Sequence, residues 1–294
     1  MTENFLIWLS GQHSHETVLS YGFALVRFKK WLGGADMTKL SVDDLSKYVL
    51  FLENQGLKIG TRSIYVSALK GLWHWLYRQN LVGFDSDLIP TPKRDFSTHY
   101  ETLDEDEYQK ILSLFDEFYP KELRNKAVIA VLYNTGVRIG ELLSMNLGDI
   151  DMANNKILVK TSKRRNHKRE VYFGEDAKEL LRKWIDVRQK LLDTKFIRTD
   201  ALWLNLSTYN FGERIRRCAI QRIFRVARTK LNLEKRITPH SCRHGFAAKG
   251  IKNNINVRYL QVMMGHAKLS TTEIYMGYKN CDVESEYRKI YACA

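Results

Sequence analysis

Apolar residues recur every three to four positions through most of the first 85 residues, which is the spacing of amphipathic helices. The segment ETVLSYGFALVRFKKWLGG places Val18, Tyr21, Leu25, Phe28, Trp31 and Leu32 on one stripe and stops at Gly33–Gly34. The next, SVDDLSKYVLFLENQG, opens on Ser41, whose hydroxyl suits an N-cap, and continues with Leu45, Val49 and Leu52 at helical period. The third, GTRSIYVSALKGLWHWLYRQN, carries Ile64, Leu69, Leu72, Trp73, Leu76 and Tyr77. Three or four helices with short connections predict a small bundle over residues 1–85. Trp73 and Trp75 are candidates for stacking on bases, although this spacing sends at least one of them into the core.

The periodicity lapses in FDSDLIPTPKRDFSTHY, which holds Pro90 and Pro92, so a linker is expected over residues 86–100. A second domain is expected over 101–294. TLDEDEYQKIL reads as a capped helix start, LRNKAVIAVLYNTG as a buried helix closing on Gly136, and VRIGELLSM as the start of another. LGDID, NKILVKT and REVYF are short β-branched or aromatic runs with polar turns between them, the pattern of an antiparallel sheet. Helical patterns follow at 175–192, about 211–231, 241–252 and 256–264. The predicted class is mainly α with a small antiparallel β-sheet: an N-terminal helical bundle followed by a larger C-terminal domain.

Composition adds a partner to this picture. The chain has 294 residues, 44% of them hydrophobic and 12% aromatic, enough for two folded cores. Its net charge is +14, and nearly all of the excess lies beyond residue 90, in KRRNHKR (163–169), RIRR (214–217) and RIFRVARTK (222–230). Either this is a solvated basic surface or it meets a polyanion, most simply nucleic acid. Cys218, Cys242, Cys281 and Cys293 form no C-x-x-C pair, and no zinc-ligand spacing is present. There is no signal-peptide pattern and no apolar run approaching about 20 residues. The expectation is a reduced, cytoplasmic protein with packing cysteines, no membrane partner and no metal.

Within the basic half, a set of residues has the parts for attack on a phosphodiester. They are Arg138 in TGVRIGELL, Lys163 in the run between two strand-like segments, His240 and Arg243 in TPHSCRH, His266 in MMGH, and Tyr275 in STTEIY. Arginine forks bind two phosphate oxygens and keep their charge. Phosphate charge is greatest in the transition state, where such clamps contribute most. A phenol with a pKa near 10 is a weak nucleophile until positive charge favours phenolate and a histidine accepts its proton. Lys163 is the candidate general acid for the leaving 5′ oxygen, with Lys160, Arg164, Arg165 and Lys168 as competitors in the same run. Each residue also has a plain structural reading. Arg138 can pair with Glu141, and Thr238–Pro239 reads as an N-cap with proline at N1. The order of the whole set carries the argument.

Three segments, TGVRIGELLSM, TPHSCRHGFAA and LQVMMGHAKLSTTEIYMGY, resemble the signature segments of the tyrosine recombinase (phage integrase) family, in size and style its compact Xer-like branch. The resemblance spans essentially the whole chain. It implies an N-terminal core-binding domain and a C-terminal tyrosine-recombinase catalytic domain. It identifies Arg138, Lys163, His240, Arg243, His266 and Tyr275 as the catalytic set, with Tyr275 the nucleophile and Glu141 a support for Arg138. The turn TSKRRNHKR is longer than the family's usual form and lacks its glycines, which leaves the register of the lysine open. The resemblance further implies strand cleavage through a 3′-phosphotyrosyl link, without nucleotide cofactor or metal. Its implied partners are double-stranded DNA at specific recombination sites and a homo-tetramer, or a hetero-tetramer with a related recombinase, on two such sites. A type IB topoisomerase, a hairpin-forming telomere resolvase and a DNA-binding protein without catalysis are the alternatives.

Overall fold

The computed structural model describes residues 1–92, 101–160 and 168–265. Its chain divides into two compact units, residues 1–98 and 99–294. The expected 1–85, 86–100 and 101–294 division can be set beside them.

The first unit contains α1 (Thr2–Ser10), α2 (His15–Leu32), α3 (Val42–Asn54) and α4 (Ile59–Arg78). Ser41 starts α3 as its sequence suggests. Its hydroxyl accepts from Asp44 N, and the Asp44 carboxylate accepts from Ser41 N, so two otherwise unpaired groups satisfy each other. Phe5, Leu25, Phe28, Leu45, Leu52, Leu69, Leu72 and Leu76 form the core. Trp73 is fully enclosed there, and Trp75 packs partly buried against the same cluster. The stripe on α4 is narrower than expected. Ile64 and Tyr77 lie exposed at the edges of the buried arc, which runs through Val66, Ala68, Leu69, Leu72 and Trp73. The start of the segment expected as linker is ordered. Ser86–Leu88 forms a 3-10 turn capped by Asp85, and Ile89 is buried in the same core.

The second unit has α5 (Glu105–Ser113), α6 (Pro120–Thr135), α7 (Ile139–Ser144), α8 (Glu175–Lys195), α9 (Arg217–Lys230), α10 (Pro239–Lys252) and α11 (Val257–Met264). Its strands β1 (Ile150–Asp151), β2 (Lys156–Lys160) and β3 (Lys168–Tyr172) make an antiparallel sheet in that order. Helix α6 is the axis of this unit. Every residue from Ala127 to Leu132 is wholly enclosed, the mark of a helix covered on all sides, and α8 and α10 pack on it. Helix α9 starts later than the expected 211. Residues 202–216 instead double back through a turn at 209–212, with Ile215 N donating to Trp203 O and the Arg214 guanidinium donating to the carbonyls of Leu143 and Met145. Those tertiary bonds outcompete the local helical pattern of the RIRR run.

Candidate active site

Arg138 stands at the N-cap of α7, directly after α6 has closed on Gly136. Gly136 adopts φ +60°, and a Cβ there would come within 2.7 Å of the Phe246 ring on α10. The tight turn and the close approach of α10 both depend on that glycine. Glu141, one turn into α7, reaches back. Its carboxylate accepts from Arg138 N at 2.9 Å and from Arg138 Nη1 at 3.0 Å. The other arm of the fork, Nη2, donates to Gly265 O at 2.9 Å. The Arg138 side chain is 40% exposed, so its guanidinium faces solvent on one side.

Helix α10 contributes the other two described members of the set. Thr238 caps it, with Oγ1 accepting from His240 N and Ser241 N, and Pro239 occupies the first turn. The structural reading of Thr238–Pro239 is thus compatible with the functional reading of H-x-x-R. The cap fixes the helix start, and the helix fixes His240 and Arg243 one turn apart. Arg243 is buried, donating from Nη1 to Gly136 O and from Nη2 to Met264 O, both at 2.6 Å. The His240 ring lies 4.9 Å from that of His244, one turn on. Burial, then the positive charges of Arg243 and Arg138, hold His240 below its ordinary value. His244 is pushed down to about 4 by burial, with His240 and Arg243 adding to it. Both imidazoles are therefore neutral at pH 7.

Arg138 and Arg243 converge on the C-terminus of α11, where helix carbonyls lack intrahelical partners and the dipole end is negative. A third arginine joins them. Arg169 on β3 donates from Nε to Met263 O at 3.0 Å, and grips Glu141 with Nη1 and Nη2 at 2.9 and 2.8 Å. Consecutive carbonyls of Met263, Met264 and Gly265 thus each receive a guanidinium from a different element. Burial raises the Glu141 carboxyl, but the hydrogen bond and charge of Arg169, with those of Arg138, outweigh it and leave the group below its ordinary value.

Sequence reasoning saw Arg169 only as part of a basic cluster. A signal was available: β3 alternates, and Arg169 shares its inward face with buried Val171. Register also sorts the competing lysines. Val159 pairs with Arg169, so Lys160 and its partner Lys168 project from the opposite face of the hairpin. Lys160 there forms an ion pair with Asp149 at 2.5 Å. Lys163, His266 and Tyr275 lie outside the described residues.

The fold is that of the tyrosine recombinases. The Tn1549 transposon integrase, solved in complex with transposon right-end DNA, superimposes with a TM-score of 0.75 at 19% identity, covering 97% of this chain and 96% of that one. Sequence comparison is more specific. The phage integrase family matches residues 101–280, and the N-terminal SAM-like domain of phage integrases matches residues 3–80. Tyrosine recombinase XerD of Oceanobacillus iheyensis is 30% identical over 284 residues, 95% of this chain and 93% of that protein. Tyrosine recombinase XerC of Lactobacillus leichmannii is 30% identical over 295 residues, 98% of each. The chain belongs to the phage integrase family and is a site-specific tyrosine recombinase, an enzyme that cleaves and rejoins DNA strands.

Proposed function

We propose that this recombinase acts through a 3′-phosphotyrosyl intermediate with Tyr275 as nucleophile. Arg138, Arg243, His240 and His266 bind and neutralise the scissile phosphate, and Lys163 protonates the leaving 5′ oxygen. The observation that supports this best is the convergence of Arg138 and Arg243, from separate helices, on the turn that leads into His266. The two arginines differ in exposure: the Arg138 side chain is 40% exposed, whereas Arg243 is buried with its fork on Gly136 O and Met264 O. A neutral His240 beside two guanidiniums is suited to take the phenol proton while they favour the phenolate.

The partner is duplex DNA at specific recombination sites. The basic excess beyond residue 90 supports this, as does the DNA held by the Tn1549 integrase in its solved complex. Recombination then proceeds in a homo-tetramer on two sites, or a hetero-tetramer with a related recombinase, in the nucleoid-associated cytoplasm. Residues 1–85 serve as the core-binding domain, 86–100 as linker and 101–294 as the catalytic domain. The deciding experiment uses a nicked suicide duplex carrying the cognate site, on which the freed fragment diffuses away and the covalent adduct persists on a denaturing gel. Wild-type protein forms the adduct in excess chelator without ATP. Tyr275→Phe binds equally well and forms none. An adduct from Tyr275→Phe moves the nucleophile elsewhere.

A further inference from the structure

Arg169 uses three of its five donors on two targets that belong to different parts of the site: both oxygens of Glu141 and the carbonyl of Met263. Its side chain is 12% exposed and that of Glu141 5%, so the pair sits behind the solvent-facing arm of Arg138. Gly265 is shaped around it. That residue caps α11 at φ +63°, and a Cβ there would lie 2.8 Å from Arg169 Cζ and Nη1. Strand β3, the start of α7 and the turn that closes α11 therefore meet at one guanidinium.

Charge gives this arrangement its consequence. Glu141 carries one negative charge and touches two guanidiniums. With Arg169 present, the trio keeps a net positive charge for an incoming phosphate. Without it, the buried carboxylate has Arg138 as its remaining charged partner, and the two cancel. Low dielectric makes that cancellation stronger than at the surface. The bidentate geometry matters too, because it fixes the carboxylate plane from which Arg138 hangs.

We propose that Arg169 is a positioning residue for strand cleavage: it neutralises Glu141 and anchors the 263–265 turn, so that Arg138 meets the phosphate with its charge uncancelled. This rests on the assignment of Arg138 to the phosphate. Arg169 itself does not touch DNA in this scheme.

The test measures single-turnover cleavage of the suicide duplex at saturating protein, alongside DNA affinity and thermal stability. Loss of adduct in Arg138→Ala is established first, so that failure of the phosphate assignment is separable from failure of this proposal. Arg169→Met is expected to lower the cleavage rate about 100-fold, as misplacement of a clamp does, with DNA affinity within about threefold of wild type. Arg169→Met/Glu141→Gln removes the orphaned carboxylate and is expected to recover about tenfold of that loss, because Arg138 regains its charge. A scaffold role alone predicts that the double variant is no faster than the single one. If Arg169→Met does not fold, Arg169→Gln and Arg169→Gln/Glu141→Gln carry the same comparison, since the amide keeps donors against Glu141 but no charge. Three results overturn the proposal: a cleavage rate within about threefold of wild type, a loss matched by loss of binding, or no gain from Glu141→Gln.

Discussion

Arg138 and Arg243 end on neighbouring carbonyls of one turn, Nη2 of the first on Gly265 O and Nη2 of the second on Met264 O. Their backbones belong to α7 and α10, so only the folded second unit brings them together. Two cations held this close repel, and the helix C-terminus between them offsets the repulsion. A bound phosphate would offset it further.

On the proposed phosphate assignment, replacing either arginine is expected to remove transition-state charge stabilisation, but the two variants should differ in stability. Arg138→Ala and Arg243→Ala should each lower the rate of adduct formation by at least 100- to 1000-fold, the scale on which single oxyanion donors act. Arg138 is partly exposed, so its loss should shift the melting temperature little. Arg243 is buried, and its removal orphans bonds at Gly136 O and Met264 O, so about 2–4 kcal/mol of stability should go with it. Adduct yield and thermal unfolding, measured together, separate the two effects.

The lysine is identified by chemistry rather than by affinity. Lys163→Ala should slow cleavage of an ordinary duplex and regain most of the wild-type rate on one with a bridging 5′-sulfur, whose leaving group needs no acid. Lys160→Ala and Lys168→Ala should cleave both substrates at near wild-type rates, because these residues project from the hairpin face opposite Arg169. Lys160→Ala should instead cost stability, since Asp149 is buried and loses its ion pair. Rescue by sulfur in Lys160→Ala or Lys168→Ala would transfer the acid role to that residue.

Much of this was legible before the fold was known. The period-3.6 stripes of α2 and α3, the Ser41 cap and the period-2 runs of the hairpin are local patterns, and local patterns survive folding. The start of α9 was not, because Arg214 and Ile215 bond to residues far away in sequence, and no window over 211–217 contains those partners. Ile89 was hidden for the same reason: a proline-flanked apolar residue reads as linker until a core is seen beneath it. Arg138, His240 and Arg243 stood out as candidates because they sit in recognisable segments at helix starts. Arg169 was missed because a basic run masks which of its members turns inward, and only the register of β3 decides that.

The pH dependence of cleavage should follow the neutral imidazole of His240. Burial and two guanidiniums favour its uncharged form, so its folded value lies below the ordinary 6.5. If it accepts the phenol proton, the acid limb of the single-turnover rate lies below pH 6.5 and moves upward when a neighbouring charge is removed. Arg138→Lys keeps that charge and should leave the limb in place even as the rate falls. Arg138→Met should raise it. An acid limb unmoved in His240→Asn assigns the titration to another group.

His244 should appear in stability rather than in rate. Its folded value is about 4 against an ordinary 6.5, chiefly through burial, so the unfolded chain binds a proton that the folded chain refuses. Between these values the unfolded state holds more protons, and stability must therefore fall as pH drops from about 6.5 toward 4. The contribution fully present at neutral pH is of order 1–3 kcal/mol for a half-buried ring. His240 adds a smaller loss of the same sign, while carboxylates such as Glu141 lose theirs further into acid. Urea unfolding of wild type should thus show a decline between pH 6.5 and 4.5 that is visibly shallower in His244→Gln, where an uncharged side chain cannot take up the proton. A variant with the wild-type slope would show that His244 titrates alike in the folded and unfolded chains, and that burial and the charges of His240 and Arg243 do not lower it.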